Sequence, residues 1–403
     1  MLCCDRPAVP AISMPSTASP SRLPGLDTLR AAAIVAVMFF HLTIFGELPS
    51  RILPVTWFGW MGVDLFFVLS GFLIGQQLLR GWTEERRPSF LSFYLRRAAR
   101  ILPAYWCVLL LYFFVPAWRE SRGLPPLWKF VTFTLNLHVN LSQHAFSHAW
   151  SLCVEEHFYL LLPLLLAALM RRPSARKAVA AVALMVAGGI MLRAALIARF
   201  PDNVFALVYY PSWTRLDGLT FGVGLAALRT FRPAVWRRWM QHGHALLIGG
   251  IAVAGCAMWL FQGRDQGAAT GLAWWAQVFG FPLLDAGLAL VTASAMSERA
   301  LLGRSRIPGA GLLAALAYSL YLTHKEVAHF VMVQFPGVTA SQGPASWCLY
   351  AAACVGVAGL LHLLVERPVL RLRDRFVRQT YVERGASRGV ALALAGEGEE
   401  SGA

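Results

Sequence analysis

The sequence predicts an all-α fold: a polytopic membrane helical bundle of about ten transmembrane helices plus one short re-entrant or interfacial segment, with both termini cytoplasmic. Three observations carry this expectation. Of 403 residues, 57% are hydrophobic and 14% charged, where a soluble domain carries about a quarter charged residues. Ten apolar runs, near 26–46, 57–80, 98–117, 149–170, 178–199, 212–229, 243–261, 272–296, 311–333 and 345–365, approach the roughly 20 residues a helix needs to cross the hydrocarbon core. Basic residues gather between alternate runs: Arg80 to Arg100, Arg171 to Lys177, Arg229 to Arg238, Arg299 to Arg306, and Arg367 to Arg378. Such linkers face the cytoplasm. The run at 127–140 is too short to cross, and starts and ends outside.

The mean hydropathy of +0.55 agrees with that class. A net charge of +15 does not point to nucleic acid, because the arginines lie in short clusters between apolar runs and form no single basic domain. The seven cysteines include no C-x-x-C pair, so neither a disulfide framework nor a metal site is expected. Residues 1–22, rich in Pro and Ser, read as a disordered cytoplasmic lead. Residues 373–403 read as a disordered cytoplasmic tail, which leaves 23–372 as one transmembrane domain with no internal repeat.

Charge near the centre of a membrane helix costs roughly 2.5–3.5 kcal/mol on insertion scales, so each ionisable residue inside a run is a functional candidate. The first run, "GLDTLRAAAIVAVMFFHL", places Asp27 and Arg30 near the inner end and His41 near the outer end. Arg30 and His41 are eleven residues apart, about 16 Å along the axis and within about 20° of one helix face. The second run, "WFGWMGVDLFFVLSGFLI", sets Asp64 about two turns below the outer surface with Ser70 deeper. Its Gly62 and Gly71 suit close helix packing. Near the outer end of the 149–170 run, "AWSLCVEEHFYLLLPLLL" carries Glu155, Glu156 and His157; adjacent glutamates point about 100° apart, so only one faces a given cavity. "PSWTRLDGLTFGVG" brings in Arg215 and Asp217, and "YSLYLTHKEV" brings in His324, Lys325 and Glu326.

Five runs therefore supply ionisable groups at similar depth. Histidine beside a carboxylate in a dry cavity is a general acid/base constellation, and a proton-coupled transporter would want the same groups. A lone intramembrane histidine can also serve as an interhelical hydrogen bond, and Asp64 can be a structural partner for an arginine. At the inner edge, "FYLRRAARILPAYW" sets Arg100 one turn from Arg96 on the same face. Guanidinium groups grip phosphate bidentately, so this cluster suits lipid headgroups or a phosphorylated cosubstrate as well as plain topological anchoring. Pro103, about one turn into this run, is expected to fix the start or bend of its helix.

With these residues in view, the chain resembles the integral-membrane acyltransferase-3 family, whose members move acyl groups from acyl-coenzyme A onto hydroxyls, mostly of sugars. The likeness covers about residues 22–372. It rests on motifs in family order: Arg30 and His41 with ten residues between them, "GVDLFFVLSGFLI", "FYLRRAARILPAYW", "AWSLCVEEHFYLLLPLL", "RLDGLTFGVGLA", "YSLYLTHKEV" and "LLVERPVL". The resemblance implies that His41 is the catalytic histidine, with Arg30 also required, and that Arg96, Arg97 and Arg100 lie beside the acyl-coenzyme A site. It implies that Glu155 is a structural or catalytic partner and that Glu366 is structural. The "YLTHKEV" stretch departs from the family pattern, in which an aromatic residue more often precedes the histidine and a Trp-Pro pair often follows, so no strong role is expected for Lys325 or Glu326.

The expected reaction is acyl transfer, acetyl by default, from acyl-coenzyme A to a hydroxyl of a carbohydrate, glycolipid or glycosylated metabolite. Arg30, Arg96, Arg97 and Arg100 would hold the donor, and His41 would act as catalytic base or acyl carrier, oriented by Glu155 or Asp64. The protein is expected in the bacterial inner (cytoplasmic) membrane among membrane lipid, as a stand-alone enzyme without metal. The rival expectation is a proton-coupled transporter or flippase of a sugar-lipid.

Overall fold

A computed structural model describes residues 23–83, 89–140, 142–169, 174–203, 205–263 and 272–375. The expected lead 1–22, residues 376–403 of the expected tail, and the linker residues Arg86, Arg87, Arg171 and Arg172 lie outside the described residues. Each of the ten apolar runs contains a helix: α1 (Pro24–Ile44), α2 (Met61–Thr83), α3 (Phe90–Phe114), α4 (Trp150–Leu169), α5 (Ala175–Arg199), α6 (Asp217–Phe231), α7 (Gly243–Leu260), α8 (Trp274–Ala295), α9 (Ala310–Gln334) and α10 (Pro344–Arg375). α10 loosens to a π-helical turn at His362–Glu366. Among the described residues the fold is all-α, and eight helices are long and apolar enough to cross a membrane.

The two remaining helices show why composition alone stops at eight. α6 has 15 residues, about 22 Å of helix at 1.5 Å per residue. α9 has 25 residues but buries Ser319, Thr323, His324, Lys325 and Glu326. Polar groups are tolerated there because α9 packs along α1 and α10 and lies inside the bundle. The run at 127–140 forms one short helix, Leu127–Val131, and then turns. It anchors through aromatic rings: Tyr105 stacks on Phe133 at 5.0 Å, and the buried Phe130 stacks on Phe146 at 5.7 Å.

Two boundaries differ from the expectation. α3 begins at Phe90, where the Ser89 side chain accepts a hydrogen bond from Ser92 N at 3.3 Å. That N-cap extends the helix through the basic cluster, so Pro103 lies well inside α3 and not one turn from its start. At the other end, α10 stays helical to Arg375, so residues 373–375 of the expected tail belong to the bundle.

Glycines set the tightest contacts. A Cβ on Gly71 would lie 2.1 Å from Leu219 O, and one on Gly222 would lie 2.2 Å from Val68 O. α2 and α6 thus touch backbone to backbone, as small residues permit between membrane helices. The same holds where Gly62 of α2 meets Ala33 O of α1, with a Cβ at 2.4 Å. These contacts give Gly62 and Gly71 the packing role expected of them.

Gly71→Val should force α2 and α6 apart at a cost of about 1–3 kcal/mol or more, the range for overpacking. A lower melting temperature in detergent is the expected reading. Gly249→Ala, whose Cβ meets nothing within 4 Å, should melt like the parent.

Candidate active site

The charged groups separate into three clusters. The first is a cavity of about 460 Å³ lined by Arg30 of α1 and Arg96, Arg97 and Arg100 of α3. Its walls include Ser70 and Gln77 of α2, Glu155, Glu156 and Tyr159 of α4, and Tyr318 and Tyr321 of α9, with Arg373 and Asp374 of α10 also lining it. Helix start α1, helix start α3 and helix end α10 therefore meet on one face of the bundle. Arg30 Nη1 lies 3.3 Å from Asp27 Oδ1, and the Arg97 guanidinium stands 5.2 Å over the Tyr159 ring. Glu155 Oε2 accepts from Ser70 Oγ at 3.2 Å and from the Tyr159 hydroxyl. One wall of the cavity is thus acidic and the other strongly basic.

The second cluster contains three histidines. His41 Nδ1 lies 2.9 Å from His324 Nε2 and 3.0 Å from Val37 O. The His148 ring flanks both, with centroids 6.2 Å from His41 and 5.2 Å from His324. His148 sits just ahead of α4 at the end of the 116–149 segment, and an ion pair clamps that segment to α9. Lys325 Nζ lies 2.8 Å from Glu120 Oε1 and 3.1 Å from Ser147 Oγ. Glu120 also accepts from Phe146 N at 3.0 Å and from the Tyr112 hydroxyl at 2.8 Å. Glu120, His148 and Glu326 bring ligand-type atoms within 4.8 Å of one another, but the Lys325 ammonium already neutralises Glu120, and a metal ion would have to displace it.

Tyr321 separates these two clusters. It lines the cavity, donates its hydroxyl hydrogen to His148 O at 2.8 Å and bonds Ser151 Oγ. Its ring centroid is 5.6 Å from His148 and 6.0 Å from His324. One layer of side chains therefore stands between the cavity and the histidines.

The third cluster is buried beside α2, α5, α6 and α8. Arg215 Nη2 meets Asp64 Oδ1 at 2.7 Å, and Arg193 Nη1 meets Asp217 Oδ2 at 2.6 Å. Arg193 also donates to Val278 O at 3.1 Å and Thr214 O at 2.7 Å. The Arg215 guanidinium lies 3.8 Å from the Phe281 ring centre, and Asp285 is buried nearby, its Oδ1 2.9 Å from where a Gly218 Cβ would be.

The four arginines thus meet as expected, whereas the expected carboxylate on His41 does not. Among the described residues neither Asp64 nor Glu155 hydrogen-bonds His41. Asp64 is held by Arg215 and Glu155 by Ser70 and Tyr159, because each buried carboxylate takes the nearest donor that satisfies it. Arg30 lines the cavity while His41 does not, so the shared face of α1 leads from the cavity to the packed histidine cluster. Glu366 accepts from Ser319 Oγ at 3.0 Å and pairs with His362 Nδ1 at 2.9 Å, a structural role. Lys325, from which no strong role was expected, forms the loop clamp.

Several contributors went unread in the sequence. Arg193 in "GGIMLRAALI" and Asp285 in "FPLLDAGLAL" are single charges inside apolar runs, a signal that was present. His148 directly precedes "AWSL" and was legible only as a loop residue. Arg373 was assigned to the tail.

Glu120→Gln should leave the buried Lys325 ammonium without a counter-charge and destabilise the fold by about 3–5 kcal/mol. The double variant Glu120→Gln/Lys325→Met should recover most of that loss. A double-mutant cycle on unfolding in detergent measures the coupling, and additive effects would show that the clamp contributes nothing.

The acyltransferase-3 family model, described as an acyltransferase domain, matches residues 23–363. The O-acetyltransferase OatA of Staphylococcus aureus (strain NCTC 8325 / PS 47) is 26% identical over 332 residues, which covers 78% of this chain and 52% of OatA. OatA of strain MRSA252 is similar to the same extent. The chain spans about half the length of the curated relatives it matches. No solved structure matches it. With a family model running from the start of α1 into the π-helical turn of α10, the chain belongs to the acyltransferase-3 family, and its helical bundle is that family's acyltransferase domain.

Proposed function

We propose that this protein is a membrane O-acyltransferase that moves an acyl group, acetyl first of all, from acyl-coenzyme A to a hydroxyl of a carbohydrate, glycolipid or glycosylated metabolite at the bacterial inner membrane. One observation carries the reading: Arg30, Arg96, Arg97 and Arg100 converge on a single cavity whose far wall, at Tyr321, adjoins the three histidines. Coenzyme A presents a diphosphate and a 3′-phosphate at one end and a slender thiol arm at the other. Guanidinium groups suit the phosphates, and a cavity of this size suits the arm. The O-acetyltransferase names of the relatives support acetyl as the cargo.

In this mechanism the donor enters from the arginine face and its thioester reaches the histidines when Tyr321 swings from its present position. The acceptor hydroxyl gives its proton to His41 Nε2 as its oxygen attacks the thioester carbonyl. The carbon–sulfur bond breaks, and the leaving thiolate takes the proton back from His41. In an alternative route His41 Nε2 carries the acyl group itself before the acceptor arrives. Labelled acetyl-coenzyme A without acceptor separates the routes: a covalent label that survives in His41→Ala excludes the acyl-histidine.

A proton-coupled transporter or flippase of a sugar-lipid would use the histidines but has no need of four arginines around one cavity. Coenzyme A should therefore raise the melting temperature of the purified protein. In Arg96→Ala/Arg100→Ala that shift should vanish and the donor KM should rise about tenfold or more, given about 1.5–3 kcal/mol per charged hydrogen bond. His41→Ala should keep the coenzyme A shift and lose about 10²–10⁴ in turnover. No shift with the parent protein at saturating coenzyme A would favour the transporter.

A further inference from the structure

We propose that His324 is the positioning residue for His41: it accepts the Nδ1 hydrogen of His41 and thereby leaves the His41 Nε2 lone pair as the reacting atom. This rests on the acyltransferase reading above.

Four hydrogen-bond contacts fix the two rings. A backbone carbonyl only accepts. His41 Nδ1 lies 3.0 Å from Val37 O, one helical turn back, so that nitrogen carries hydrogen. His324 Nδ1 lies 3.0 Å from both Leu320 O and Tyr321 O, so that nitrogen carries hydrogen too. A neutral His324 then has its lone pair on Nε2, the atom 2.9 Å from His41 Nδ1. The one His41 Nδ1 hydrogen is then shared in a three-centre bond between Val37 O and His324 Nε2, since donation in the reverse sense would set two N–H groups head to head. The tautomer of each ring follows from the hydrogen-bond network, and in both the carbonyl of the ring's own helix decides it.

The surroundings hold this arrangement in place. His324 is buried in the middle of α9, against α1. Its ring is flanked by His148 at 5.2 Å and by Tyr321 at 6.0 Å. Since Asp64 and Glu155 are engaged elsewhere, a neutral imidazole here occupies the place that a carboxylate takes in a Ser-His-Asp triad. When His41 Nε2 takes the acceptor proton, the resulting imidazolium shares its Nδ1 hydrogen with an imidazole of like basicity. Positive charge spreads over both rings, and the hydrogen returns to His41 Nδ1 when the thiolate reclaims the proton from Nε2. If His41 carries the acyl group on Nε2, the carbon–sulfur bond breaks, the thiolate leaves, and loss of the Nδ1 hydrogen to His324 leaves a neutral acyl-imidazole; on deacylation the acceptor oxygen takes the acyl group, the hydrogen returns from His324 to Nδ1, and the acceptor's proton leaves to balance the thiolate.

Two variants test the pairing in the full-length protein, reconstituted with a total cell-envelope extract as acceptor and assayed for thiol release from acetyl-coenzyme A. His324→Leu should lower kcat about 100-fold or more, since losing the orienting partner of a catalytic histidine costs up to about 10⁴. Its acetyl-coenzyme A KM should stay within about threefold, because His324 does not line the donor cavity. His324→Gln, whose amide oxygen can accept the same hydrogen, should recover to within about tenfold of the parent. An unaltered kcat in His324→Leu overturns the proposal. So does a His324→Gln protein that melts like the parent yet is as inactive as His324→Leu.

Spectra of ring-¹⁵N-histidine protein give a second readout that needs no activity. The His41 Nδ1 proton, identified by its loss in His41→Ala, should shift in His324→Leu and stay near its parent position in His324→Gln. An identical resonance in the parent and in His324→Leu refutes the pairing. Absence of thiol release from the parent protein would overturn the transferase reading, while the spectra would still decide the pairing.

Discussion

A charge inside a membrane bundle must be answered by another group within reach, and in this protein that requirement locks the helices together. Breaking a buried pair leaves an uncompensated ion, which costs far more than the pair itself contributes. Arg215 with Asp64 ties α6 to α2, and Arg193 with Asp217 ties α5 to α6. Lys325 with Glu120 fastens the segment before α4 to α9. The Arg215–Asp64 and Lys325–Glu120 links join segments far apart in sequence, so they specify the arrangement as well as supporting it.

Once the structural pairs are formed, the remaining ionisable groups are the ones open to chemistry. The arginine cavity and the histidine cluster differ in character as well as place. The cavity is large and lined by guanidinium and carboxylate groups from α1, α3, α4 and α10. The histidine cluster is tight, with rings fixed by backbone carbonyls and by one another. A polar anion suits the first, and a reaction that needs one oriented nitrogen suits the second. Residues supported by packing and by further hydrogen bonds hold such geometry best, and the Lys325–Glu120 clamp supplies that support on the segment carrying His148.

The contact between the cavity and the histidine cluster passes through Tyr321, which lines the first and packs on the second. Its hydroxyl hydrogen goes to the carbonyl of His148, so a side chain that lines the cavity also holds the residue beside the His41–His324 pair. The arginine cavity and the histidine geometry are thereby linked through one side chain, without any need for a long-range pathway.

Much of this was legible in the sequence. Hydropathy and the alternation of basic clusters are local properties, and they gave the helical class, the ten helix positions and the common face of Arg30, Arg96, Arg97 and Arg100. The ordered motifs pointed to the family, which residues 23–363 then bore out. Partner choice was not legible. Asp64 and Glu155 looked equally able to orient His41, yet packing turned one to Arg215 and the other to Tyr159, and placed His324 against His41. Arg193 and Asp285 were visible as lone charges but had no evident partner until α5, α6 and α8 were brought together. A run of residues determines whether a helix forms and how deep each side chain lies. Which side chains meet depends on the rotation and separation of helices distant in sequence, as at Gly71 and Gly222, and only the tertiary structure decides that.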